Sequence, residues 1–179
     1  MEPHRINVKY FVEDPASVNL PDFIPVFHRW IQEKQVEGLP IDVADYKHVH
    51  EGPGILLVGH EGDYAMDMGD GRPGLRYARK RAMSGDLQER LRTVFRLAMH
   101  GCALLAGDSS LNGKIQFRAD ELELSFADRL RTPNESATFD SLRGEIESVV
   151  SEIYPDKSVS LEPIQNDARG NLAIRVSLG

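Results

Sequence analysis

The chain has 179 residues, of which 41% are hydrophobic and 27% charged, with a formal net charge of −7 and one cysteine. That length can bury a core without covalent staples, the acidic balance argues against general affinity for nucleic acid or an anionic membrane, and a lone cysteine excludes an intramolecular disulfide and fits a reducing compartment. The opening "MEPHRINVKYFVEDP" holds no apolar signal core, and no run approaches the length of a membrane span. The expectation is a bacterial cytoplasmic protein forming a single globular domain over residues 1–179.

Ile6, Val8, Tyr10 and Val12 alternate with Asn7, Lys9 and Phe11, which predicts a strand over 6–12. After the loop "EDPASVNLPD", Pro21 fits the first turn of a helix, where a missing N–H costs little. That helix is expected to run to about Lys34, with Phe23, Phe27, Trp30 and Ile31 on one face. "IDVAD" reads as a short strand. Residues 55–68 read as a hairpin turning at Glu61–Gly62, which sets Ile55, Leu57, Tyr64, Met66 and Met68 on one face and pairs Gly59 with Tyr64 and His60 with Asp63.

"LRYARKR" reads as a short strand or extended arm. Asp86 and Glu89 form a capping pair for a second helix. Leu87, Leu91, Val94, Ala98, Gly101 and Leu105 mark its apolar face, and Gly107 ends it. "KIQFRADELELSF" suggests a second hairpin turning at Asp120–Glu121, pairing Ile115 with Phe126 and facing Arg118 with Glu123. A third helix carries Phe139, Leu142, Ile146, Val149, Val150 and Ile153, and Pro155 stops it. The chain closes on a hairpin around "NDARG", with Pro163 pointing to an edge strand or bulge. The pattern predicts an α+β fold: a mainly antiparallel sheet built from hairpins, with about three amphipathic helices packed on one face and a loose hairpin–helix repeat in the last two thirds.

The stretches "INVKYFVEDP", "FIPVFHRWIQ" and "IDVADYKHVHEGPGILLVGHEGDYAMD" resemble a bacterial protein family to which no activity is assigned. The resemblance covers about the first half of the chain. It implies a shared fold and lends no substrate, cofactor or catalytic residue.

Three groups of residues could carry chemistry. His48 and His50, spaced i, i+2, share a face if that segment is extended, and His60, Glu61 and Asp63 follow at the end of "ILLV". Imidazoles with neighbouring carboxylates are the ligand types of a divalent metal site. The difficulty is reach, because an intervening strand rising about 3.3 Å per residue holds its two ends roughly 20 Å apart. The loop before residue 54 must fold back, or two molecules must meet. The second group is "GRPGLRYARKR", with five Arg or Lys among residues 72–81. Here Arg72, Arg76 and Arg79, with Tyr77 among them, could clamp a small anion, or the stretch could be a solvated edge strand. Third, Phe27, Trp30, Tyr64 and Met66 could line a pocket between helix and sheet, although such residues more often form plain core. His28, His100 and Cys102 read as boundary or core positions. No GxGxxG, GxxxxGK[ST], GxSxG, HExxH or CxxC pattern occurs.

The leading expectation is a non-catalytic binding or assembly protein that forms a homo-oligomer, with "NLAIRVSL" as a strand able to pair with a neighbour and a small anion as ligand. The alternative is a metal-assisted hydrolase using His48, His50, His60 and a nearby carboxylate. Neither nucleic acid nor membrane is expected as a partner.

Overall fold

A computed structural model describes residues 2–179. Eight strands form one antiparallel sheet, and three helices lie against it. The strands are β1 (Ile6–Val12), β2 (Pro40–Tyr46), β3 (Gly54–Gly59), β4 (Gly62–Asp67), β5 (Gly74–Arg79), β6 (Phe117–Phe126), β7 (Val159–Pro163) and β8 (Leu172–Leu178). The helices are α1 (Phe23–Gln32), α2 (Leu87–Gly107) and α3 (Ser136–Ile153). Across the sheet the order is β2-β3-β4-β5-β1-β6-β8-β7, so β2 and β7 are its edges. The fold is α+β, as the hairpin-rich pattern implies. Among the described residues no helix is long and apolar enough to cross a membrane.

The alternation of β1 explains the layering. Ile6, Val8, Tyr10 and Val12 belong to the core beneath the helices, together with Ile55, Leu57, Tyr64, Met66, Leu75, Leu122, Leu124, Ile174 and Val176 from the neighbouring strands. α1 packs over β2 and β3 and buries Phe23, Val26, Phe27 and Trp30, the i, i+3, i+4, i+7 stripe of an amphipathic helix. α2 lies over β1 and β5, and α3 over β7 and against α2. The capping box at Asp86 and Glu89 is present: each side chain accepts the other's backbone N–H at 2.9 Å. Gly101 lets α2 come close to the sheet, since a Cβ there would stand 2.8 Å from both Leu75 Cδ2 and Tyr64 Cε1.

The opposite face carries no helix. The strand registers line up one row of charge across it: Arg76 on β5, Lys9 on β1, Glu123 on β6, Arg175 on β8 and Glu162 on β7. Lys9 reaches over β5 to Asp67, its Nζ 2.7 Å from Oδ2. Burial pushes the Glu123 carboxyl above its usual range, and the Lys9 ammonium opposes that rise.

Four sequence expectations are corrected. The β3–β4 register pairs Leu57 with Tyr64 and Ile55 with Met66, so the two-residue turn is His60–Glu61, not Glu61–Gly62. The face assignment survives because a shift of two residues preserves alternation, but Tyr64 no longer opposes Gly59 and Asp63 no longer opposes His60. Second, residues 117–126 form one strand instead of a hairpin. Its partners are β1 and β8, and the polar "RAD" segment is taken up as an irregularity between the pairs Val12–Phe117 and Tyr10–Leu122. There Arg118 forks onto Asp120 at 2.8 and 2.9 Å and does not face Glu123. A bulge and a tight turn draw on the same short polar residues, so the signal was shared. Third, β5 is an interior strand between β4 and β1, not a solvated edge. Fourth, "NLAIRVSL" has no free side: β8 is paired by β6 and β7.

Candidate functional site

Five of the residues singled out in the sequence, His60, Glu61, Asp63, Tyr77 and Arg79, gather at one end of the sheet, where β3 turns into β4 and β5 ends. The turn is tied down from three sides. His60 N–H donates to Leu39 O at 2.8 Å, and Glu61 Oε2 accepts Leu39 N–H at 2.8 Å. Glu61 O accepts the N–H groups of Lys80 and Arg81 at 2.9 and 3.2 Å. Gly38 takes φ +84°, and a Cβ there would meet Glu61 Oε2, so a glycine is what lets the carboxylate seat itself on this strap. The Leu39 N–H holds the Glu61 carboxyl below its usual range. Asp63 Oδ1 accepts Gly59 N–H at 3.0 Å and pairs with Lys80 Nζ at 2.8 Å. Both carboxylates are thereby engaged in holding the turn.

Two hollows flank it. On the helix side a small cavity of about 130 Å³ is lined by Tyr64, Tyr77, Glu61, Arg79 and Leu97 among others. Tyr64 Oη donates to Leu97 O at 2.9 Å, and the Tyr77 hydroxyl lies over Gly62, where a Cβ would stand 2.6 Å from it. Burial pushes both phenols upward, so both stay neutral. Phe27, Trp30, Tyr64 and Met66 are buried core.

On the open side lies a groove of about 260 Å³ lined by Arg5, Ile41, Gly59, His60, Lys80 and Arg81. Continuing the β1–β5 register, in which Asn7 pairs with Ala78, brings Arg5 opposite Lys80. Three permanent cations and an imidazole thus border one groove, with Asp63 on Lys80 as the nearby countercharge. Among the described residues, no acidic side chain pairs with Arg5 or Arg81. On a chain of net charge −7 this is a local reversal of sign.

The remaining candidates lie elsewhere. His48 and His50 sit in the exposed turn before β3, at its far end from His60. The His50 side chain is 95% exposed and 3.8 Å from Glu51, and His48 lies near the Tyr46 ring. The loop does not fold back along β3, so an ion shared by all three histidines would have to be held between two copies. Among the described residues, no group of three His, Cys, Asp or Glu side chains is placed to hold a metal ion.

The three arginines do not form a clamp either. Arg72 stacks on Phe11, 3.7 Å from the ring centroid, and grips Glu121 at 2.8 and 3.2 Å. Arg76 lies on the open face, 3.7 Å from Asp67. Arg79 has the opposite strand parity and joins Tyr77 on the helix side. Sequence reasoning missed Arg5 and the grouping of Lys80 and Arg81 with His60. Lys80 and Arg81 were visible in the basic stretch, whereas Arg5 reaches the groove only through the pairing of β1 with β5. No protein-family model matches the chain, and searches of curated proteins and of solved structures return no match.

Proposed function

We propose that the protein is a binding protein whose groove at the β3–β4 turn takes an anionic group, a phosphate or carboxylate carried by its ligand. The observation that supports this is the set Arg5, His60, Lys80 and Arg81 around Gly59, with Arg5 and Arg81 uncompensated. Guanidinium forks recognise such anions bidentately, and a groove of this charge disfavours a cation. Titration with inorganic pyrophosphate tests the reading. One site is expected, weakening steeply as salt rises, and Arg5→Ala and Arg81→Ala should each lower affinity about tenfold, the scale of a hydrogen bond to a charged group. Arg81 is exposed and the fold uses only its backbone, whose N–H donates to Glu61 O and whose carbonyl accepts from Arg79 Nε at 3.0 Å, so its variant keeps the structure. Equal affinity in both variants would overturn the reading.

A second observation favours self-association. Four of the six exposed large hydrophobics, Leu39, Ile41, Tyr46 and Val49, lie on or beside the edge strand β2. The other edge, β7, has five residues and ends in Pro163, a protected edge. The proposed occupant of the β2 edge is a second β2 running antiparallel, in which Ala44 meets Ala44 and neither Asp42 nor Asp45 directly faces a carboxylate. Light scattering should give a dimer mass that Ile41→Asp converts to monomer. A monomer for the unsubstituted chain at high concentration would refute assembly while leaving the groove untouched.

A further inference from the structure

Far from the groove, α2 and α3 part above the bulged end of β6 and leave a cavity of about 270 Å³. Its walls are Met99, Cys102, Phe117, Leu122, Tyr154 and Leu178, with Tyr10 also lining it and Lys157 and Arg118 among its polar residues. The volume approaches the lower end of small-molecule sites, about 300 Å³.

Two features say what kind of molecule fits. First, Tyr10 Oη and Tyr154 Oη lie 2.6 Å apart, and neither has another hydrogen-bond partner among the described residues. Two hydroxyls carry two protons, and their mutual bond uses one. The second O–H is left with no protein acceptor, on a pair whose Tyr10 member is only 6% exposed. Tyr154 is half-buried at the cavity wall, so the spare O–H is available to an acceptor that enters the cavity. Second, the charges at the cavity differ. Glu121 also lines it but is held by Arg72, Arg118 and Arg175; Arg118 is committed to Asp120 and Glu121, whereas Lys157 forms no ion pair among the described residues and has Asp120 as a more distant countercharge.

We propose that this cavity binds a medium-chain carboxylate: the alkyl chain lies along Met99, Cys102, Phe117 and Leu178, and the carboxylate accepts the spare tyrosine O–H and faces Lys157. An apolar wall, one leftover donor and one ammonium outside any ion pair together match an amphiphilic anion and match neither a plain hydrocarbon nor a small inorganic ion.

Cys102 is the chain's only thiol and lines the cavity, so it reports occupancy. Burial holds its thiol far from ionisation, which makes alkylation slow and easily timed. Straight-chain carboxylates from butanoate to octanoate are titrated by calorimetry while alkylation of Cys102 by N-ethylmaleimide is followed in parallel. In the Arg5→Ala/Arg81→Ala background, where the groove no longer competes for the carboxylate, one site is expected, with affinity rising about fourfold per added methylene, the transfer free energy of a buried CH₂, and octanoate should slow alkylation in proportion to saturation. Tyr10→Phe/Tyr154→Phe removes both hydroxyls together, which leaves no orphan behind and is nearly neutral for stability. It should weaken octanoate about tenfold while leaving 1-octanol, which can donate its own proton, less affected. Lys157→Ala should weaken octanoate and flatten its salt dependence. Arg5→Ala/Arg81→Ala separates this site from the groove: octanoate binding must survive it. Binding without protection of Cys102, loss of binding in the groove variant, or equal affinity in the double Phe variant would each overturn the proposal.

Discussion

The buried pair Lys9–Asp67 offers the sharpest test of how the uncovered sheet face is held. The two side chains are 6% and 9% exposed and their charged atoms are 2.7 Å apart. The reach across β5 exists because Gly74 has no side chain, since a Cβ there would stand 2.4 Å from Tyr10 O and 3.0 Å from Lys9 Cε. At that separation two unit charges attract by about 6 kcal/mol at an effective dielectric of about 20. Removing each ion from water costs several kcal/mol, so the net worth of the pair is small. Breaking it is another matter. Lys9→Met strands a buried carboxylate whose remaining partners are the Gly69 N–H at 3.2 Å and Arg76 at 3.7 Å. Those contacts compensate in part, so the expected loss is about 3 kcal/mol, the low end for an orphaned buried charge. Asp67→Leu leaves Lys9 with Gly69 O at 3.2 Å and the cross-strand Glu123 and should cost a similar amount. The double variant Lys9→Met/Asp67→Leu should return to within about 1 kcal/mol of the parent. Urea unfolding followed by circular dichroism at neutral pH measures all four corners of the cycle. A Lys9→Met loss under about 1 kcal/mol, or a double variant as unstable as the sum of the singles, would refute the reasoning.

Three further outcomes follow from single positions. Glu123 has its folded-state pKa raised by burial. Between its unfolded value, near 4.5, and that raised value the folded state binds more protons, so this group's contribution to stability falls as pH rises through the window; Glu123→Gln should remove that slope and be the more stable form near neutrality, which urea midpoints from pH 4 to 8 would check. Gly101→Ala gains about 1 kcal/mol of helix propensity but drives a Cβ to 2.8 Å from the Tyr64 ring, whose hydroxyl is anchored on Leu97 O; the overpacking cost of about 2 kcal/mol should win, and a rise in thermal midpoint would contradict it. Asp86→Ala dismantles the α2 capping box and should cost about 1 kcal/mol in urea unfolding, with no change counting against the cap.

The sheet's core face was legible because it depends only on alternation. Ile55, Leu57, Tyr64 and Met66 share a face whichever two-residue turn is chosen, and the helices were legible because their stripes and caps are local. Order across the sheet was not. β5 carries Arg76 and Arg79, with Lys80 just past its end, and so resembles an edge strand, yet it lies inside the sheet because β1 pairs with both it and β6. Residues 115–126 show the same limit. A polar dip between two apolar halves can be a turn or a bulge, and only the presence of β1 and β8 on either side of β6 decides for the strand.

The same logic separates the visible half of the groove from the hidden half. His60, Glu61 and Asp63 stand together in the sequence, and imidazole beside carboxylates reads as a metal's ligand set. In the fold Glu61 is held by the Leu39 N–H, and Asp63 by the Gly59 N–H and Lys80. With their acids engaged, what remains facing solvent is Arg5, His60, Lys80 and Arg81. Arg5 lies 55 residues before His60 in the chain and arrives only through strand pairing, so no local pattern could have supplied it. The charge of the site is therefore opposite to the one its sequence motif suggests. The strand registers that bring Arg5 to Lys80 are what place cations, not a metal's ligands, around the groove.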